Sequence, residues 1–173
     1  MEAILERAFL NYSVEKLRQL SQRIETCLGR LTDEQVWARG CDNENALGNI
    51  VLHLCGNTRQ WIVSGVGGTP DIRQRDLEFA ARGGVPAAEL AARLRGAIEE
   101  AVAVLGAVPL QRLADRVAIQ GYEMTVLEAI YHVVEHFAGH AGQIIFATKM
   151  LTGADLGFYR HLSARAAHPE KTP

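Results

Sequence analysis

Three histidines, His132, His136 and His140, recur at four-residue intervals inside a run from Val126 to Leu151 whose apolar residues keep helical spacing. Four-residue steps advance about 400° around a helix, so each imidazole lies about 40° from the last and one turn along it. The three therefore share a face. That face also carries Val133 and Ile144 and is expected to look into a helical core rather than into water. Three buried imidazoles repel one another if protonated and leave acceptors idle if neutral. A metal ion resolves both problems, because an i, i+4 pair can chelate one ion with bonds of about 2.0–2.1 Å while a facing helix supplies a third ligand to an open site. His53 is the one histidine on an expected helix outside this run, with Asn49 and Asn57 one turn away on either side. Neutral nitrogen donors with vacant positions are compatible with zinc, nickel, iron or manganese. Spacing alone leaves open which two of the three spaced histidines bind. It also leaves a competing reading, in which all are core or surface histidines bonded to carbonyls and to each other.

The remaining chain is patterned for helices. From Glu2 to Leu31, Leu5, Ala8, Tyr12, Leu17, Leu20, Ile24, Leu28 and Leu31 recur at intervals of three to five. Thr32 and Gln35 resemble a capping box opening a short helix with Val36 and Trp37, ended at Gly40. Asn45 is placed to cap a helix from about Ala46 to Ser64, stopped by Gly65, Gly67, Gly68 and Pro70. Residues 65–85, rich in glycine and charge, read as a long loop over one end of the fold. Pro86 suits the first turn of a helix carrying Leu90, Leu94, Ile98, Val102 and Leu105. The stretch from Arg112 to Met124 alternates weakly around a glycine and reads as extended or as a small hairpin. Thr125 and Glu128 form a second capping box at the head of the histidine helix, and Gly153 is a natural left-handed cap at its end. The expected fold is all-α, an antiparallel four-helix bundle with a short extra helix and a long crossover loop. One domain is expected over residues 1–160, with a flexible tail over 161–173.

Composition narrows the partners. In 173 residues, 48% hydrophobic content suffices for a sizeable core. The 18 Lys+Arg against 20 Asp+Glu give a net charge of -2, which offers no long-range field for nucleic acid or anionic lipid. Cys27, Cys41 and Cys55 are an odd count without CxxC spacing and are read as reduced thiols. The first residues lack a basic segment leading into an apolar run, and no apolar stretch reaches the ~18 residues of a membrane span. A cytoplasmic protein without membrane or nucleic-acid partners is expected.

The stretch from Ala46 through His53 and Asn57 to Trp61, followed far downstream by His132, His136, His140 and Gln143, resembles the DinB-like superfamily. The resemblance extends to about Tyr159, with its informative motifs in under a third of the chain. It implies a four-helix bundle in which a histidine on the second helix and the last two of an H-x-x-x-H-x-x-x-H run bind one divalent metal, zinc or nickel foremost, with iron or manganese also compatible. Carried over by position, the ligands are His53, His136 and His140. His132 then belongs to the surroundings of the metal or the pocket, as do Asn49, Asn57 and Gln143. Where many relatives carry Arg after the last histidine, this chain has Ala141. The resemblance further implies a homodimer and a metal-dependent thiol S-transferase or hydrolase acting on a small electrophilic substrate, with a low-molecular-weight thiol as co-substrate. A second reading is a non-catalytic module in which the metal is structural.

Other site readings are weaker. His132 to His136 also match H-x-x-E-H, the inverzincin protease pattern with Glu135 as general base, but the one glutamate after His136 is Glu170 in the expected tail. A di-iron bundle needs two Glu-x-x-His pairs, and the chain has none. Cys55 stands about 200° around the helix from His53 and is read as a small core residue. Trp37 and Trp61 are read as packing residues. Arg73, Arg75 and Arg82 on the long loop read as a solvated face, with a minority reading that they meet an anionic substrate over the metal.

Overall fold

The computed structural model describes residues 2–160 and 162. In chain order its elements are α1 (Glu2–Leu28), α2 (Asp33–Trp37), α3 (Leu47–Thr58), α4 (Arg75–Ala80), α5 (Ala87–Ala107), β1 (Arg116–Ile119), β2 (Tyr122–Thr125) and α6 (Val126–Thr152). The fold is mainly helical, with one two-stranded sheet among the described residues. α1 packs on α5 and α6, and α3 packs on the same two helices. The shared core takes Leu17 and Ile24 from α1, Val51 and Leu54 from α3, Leu94 and Ile98 from α5, and Ile130 and Phe137 from α6, all buried. Each such side chain contributes roughly 1.5–3 kcal/mol by leaving water, which is what holds helices that would be marginal alone. No helix among the described residues is long and apolar enough to cross a membrane.

Both capping boxes form. Thr32 Oγ1 accepts the Gln35 N–H while Gln35 Oε1 accepts the Thr32 N–H, and Thr125 and Glu128 exchange the same pair of bonds. The second box sets where α6 begins and hence the direction in which its histidines point. Gly153, at φ 64°, closes α6 in the left-handed region.

Several boundaries differ from the sequence reading, and α2 already stops at Trp37, short of Gly40. α1 ends at Leu28 rather than Leu31, because the Arg30 and Leu31 N–H groups turn back onto Cys27 and Leu28 in a tighter turn, although Leu31 still reaches the core. The cap of α3 is Ala46 rather than Asn45. There the Asn49 side chain reaches back to accept the Ala46 N–H at 3.1 Å. α3 also continues past Thr58 as a π-helical segment, Arg59–Val66, so the chain reaches Val66 before Gly67 and Gly68 break it.

The stretch from Arg112 to Met124 contains a true hairpin, with Arg116 opposite Thr125 and Ile119 opposite Tyr122. Its two-residue turn places Gln120 at φ 53° and Gly121 at φ 79°, both left-handed, as a tight hairpin requires. The long loop is not wholly irregular, since it contains α4. The expected tail falls outside the described residues, apart from Leu162.

Candidate metal centre

The buried seam of α6 runs through Ile130, Val133, Phe137, Ala141 and Ile144. His132, His136 and His140 each sit one residue before a seam position, about 100° around the helix. They are half-buried at the margin of the core rather than within it, which corrects the expectation that their face looks fully inward. From the facing helix α3, His53 is 8% exposed and meets them there. That shallow placement puts the imidazoles beside clefts that open to solvent.

Three imidazoles converge. His53 Nε2 lies 3.0 Å from His136 Nε2, and His140 Nε2 lies 3.2 Å from the same atom. One ligand atom from each of the three falls within 4.8 Å of the others. Four-coordinate geometry with bonds of about 2.0–2.1 Å separates its nitrogens by about 3.3 Å, close to these spacings.

His140 Nδ1 lies 2.9 Å from Gln143 Oε1, an acceptor, so that nitrogen carries the proton and His140 Nε2 presents a bare lone pair. His53 Nδ1 sits between an acceptor, Glu78 Oε2 at 3.2 Å, and a donor, Arg73 Nη2 at 3.0 Å, contacts that hold the ring in place with either tautomer. His136 Nε2 faces the Nε2 atoms of both neighbours and can donate to one of them at most. The buried His136 Nδ1 has no protein partner. A cation between the three Nε2 atoms accepts every lone pair at once, and this group can hold a metal ion.

Glu78 and Arg73 escaped the sequence reading. Arg73 is not part of a solvated face: its side chain is 3% exposed and grips Glu78 at both carboxylate oxygens, Nε to Oε1 at 2.7 Å and Nη2 to Oε2 at 2.8 Å. Arg73 Nη1 also donates to Gln60 Oε1 at 2.8 Å. This pair lies flat on α3 at Gly56, where a Cβ would collide with Glu78 Oε1 and come within 2.9 Å of Arg73 Nε. Burial pushes the Glu78 carboxyl up, but the hydrogen bonds from Arg73 and His53 prevail and hold it below the ordinary carboxylate range. The carboxylate is thus charged at neutral pH, as an acceptor that orients a ligating histidine needs to be.

The three histidines of α6 are kept neutral. Burial, and then the neighbouring His140, His53, His132 and Arg73, push His136 down to about 3. Burial also lowers His140, against the opposing hydrogen bond to Gln143, and lowers His132 against Glu135. Neutral imidazole is the form that binds metal.

The other sequence candidates sit around this group. The His132 ring packs on Trp61, centroids 4.2 Å apart, outside the three-histidine group. Asn57, 4% exposed, lines the cleft beside His53. Asn49 stands one step back, with its Nδ2 donating to the carbonyls of Glu78 and Ala81 at 2.8 and 2.9 Å, so it fastens the α4 segment to α3. Gln143 touches His140 directly. Cys55 is buried with its thiol pushed up to about 12 by burial, and it does not join the group. Glu135 is exposed, no carboxylate joins the group among the described residues, and Glu170 lies outside them.

Three clefts meet at the imidazoles. One of about 360 Å³ opens between His53 and His136, a second between His136 and His140, and a third between His53 and His140.

Residues 5–164 match a family described as a protein of unknown function, DUF1572. Among solved structures, the chain is similar to the crystal structure of a conserved protein from Enterococcus faecalis, with a TM-score of 0.68 and 14% identity, covering 83% of this chain and 97% of that one. At that identity the likeness shows a common fold alone. No curated protein matches the chain.

Proposed function

The chain belongs to the DUF1572 family, a family of unknown function, and we propose that it is a DinB-like four-helix bundle holding one divalent metal ion on His53, His136 and His140. On this reading it is a metal-dependent thiol S-transferase or hydrolase acting on a small electrophilic molecule. The observation that carries the reading is the meeting of three Nε2 atoms, with the outer nitrogen of His140 on the acceptor Gln143 and that of His53 held by the Arg73–Glu78 pair. Zinc or nickel suits three neutral imidazoles best. Bound there, the ion supplies Lewis acidity that lowers the pKa of a thiol or water in its open position.

The chain's own residues supply the rest. Glu78, locked by Arg73, fixes the ring of His53, and Gln143 fixes that of His140. Asn57 and His132 line the cleft in which a small substrate lies against the imidazoles. Exposed Ile4, Leu5 and Tyr12 of α1 and Phe146 and Met150 of α6, two helices that pack together, support pairing into a homodimer.

A second reading is a structural ion. It is favoured by the ion's position, which ties α3 to α6 and, through Glu78, fastens α4 to both. Thermal melts with and without chelator, run beside turnover assays on thiols and electrophiles, separate the two. Metal-dependent turnover with stability retained after chelation supports the enzyme. A large loss of stability without turnover supports the staple.

A further inference from the structure

The three clefts that meet at the imidazoles differ in charge. The one between His136 and His140 carries Glu135 and no cation, and the one between His53 and His140 carries Glu44 and no cation. The third, between His53 and His136, carries Arg73 and Arg75 and no carboxylate. Arg73 is already committed to Glu78. Arg75 forms no ion pair among the described residues, is exposed, and is braced over the Phe79 ring at 4.8 Å. An anion is attracted to this cleft and repelled from the other two.

The same cleft is aromatic. Trp61 and His132 pack together in its lining with centroids 4.2 Å apart and rings tilted by 39°, and Tyr122, 63% exposed at the end of the hairpin, lines it as well. Gln120, at the first position of the hairpin turn, lines it too. An exposed aromatic ring and a guanidinium without an ion-pair partner, both lining one cleft, suit a flat ring bearing a carboxylate.

We infer that the cleft between His53 and His136 binds a planar aromatic or conjugated carboxylate, with its carboxylate on Arg75 at the mouth, its ring against Tyr122 and the Trp61–His132 wall, and its far end toward the imidazoles. This deepens the metal-site reading by naming the substrate class, and rests on that reading for the reaction but not for the binding.

The test is titration of ¹⁵N-labelled protein with benzoate, benzamide and cyclohexanecarboxylate, following the two indole N–H signals, assigned by Trp37→Phe. Benzoate should move the Trp61 signal saturably. Neutral benzamide and non-planar cyclohexanecarboxylate should each bind more weakly, benzamide by about ten-fold. Arg75→Gln should weaken benzoate by about ten-fold and Tyr122→Ser measurably, while Arg82→Gln on the same loop should not. Benzoate binding should survive chelation, so loss of the metal reading would leave this inference standing. Binding that disappears with the metal means that the carboxylate sits on the ion and overturns it. So do equal affinities for benzoate and benzamide, or an Arg75→Gln variant that binds as before. Should chelation unfold the chain, the Arg75→Gln comparison in the loaded protein decides alone.

Discussion

Glu78 Oε2 lies 3.2 Å from Nδ1 of His53, so a carboxylate from the long loop holds the outer nitrogen of the one imidazole that α3 contributes to the site. The contact turns that loop from a surface connection into a part of the centre. It also ties the orientation of His53 to the Arg73–Glu78 ion pair behind it.

Removing the carboxylate should therefore weaken the metal site without touching a ligand. Glu78→Ala is expected to lower metal affinity by about 10–100-fold, read by competition with a chromogenic chelator. Metal-free protein should also lose about 3 kcal/mol, because Arg73 is left buried without its counter-charge. An affinity equal to wild type would mean that His53 needs no such support.

Gly56 offers a test with an unusual sign. Glycine to alanine inside a helix ordinarily stabilises by about 0.5–1 kcal/mol. At Gly56 the added methyl meets Glu78 and Arg73, so Gly56→Ala should lower both the melting temperature and metal affinity. Gly142→Ala on α6, where nothing lies within 4 Å, should behave in the ordinary way. If both variants stabilise the protein, the Arg73–Glu78 pair does not lie against α3.

Gln143 supports His140 from the helix surface, where water competes for the same nitrogen. Gln143→Ala should reduce metal affinity by less than Glu78→Ala, in the same chelator competition. The reverse order would assign the dominant support to α6 rather than to the loop.

Acid should destabilise the metal-free fold early. His136 is pushed down to about 3 in the folded chain, against an ordinary value of about 6.5. Between these two values the unfolded chain holds the extra proton, so stability rises with pH across the window and is lost as pH falls through it. Urea melts of chelated protein from pH 7.5 down to 4.5 should show falling stability, with a flatter dependence in His136→Gln. A flat profile for the wild type would contradict the burial of that ring.

Much of the framework was legible in the residues. The Thr32–Gln35 and Thr125–Glu128 boxes and Gly153 announced helix ends because their bonds are local, formed within three or four residues. His132, His136 and His140 stood out with His53 because helical spacing fixes the direction of side chains on one helix, while the choice of His53, His136 and His140 among them came from the resemblance to the DinB-like superfamily. Arg73 and Glu78 could not. Their significance comes from contacts with Gly56 and His53 across 17 to 25 positions, from a segment with no apolar period to mark it. The phase of the histidines was misjudged for a related reason. The periodic stripe is broad, and only packing against α1 and α3 decides that the seam passes through Val133 and Phe137 and leaves the histidines at its edge. The π-helical continuation at Arg59–Val66 leaves no pattern that separates it from an ordinary helix end.

The most direct measurement is elemental analysis of protein produced without affinity nickel, wild type beside His140→Ala. The wild type should carry about one divalent metal per chain, zinc or nickel, and His140→Ala should carry almost none while remaining helical by circular dichroism. Full metal content in His140→Ala, or a wild type that stays empty after reconstitution with both zinc and nickel, would contradict a metal centre built on His53, His136 and His140.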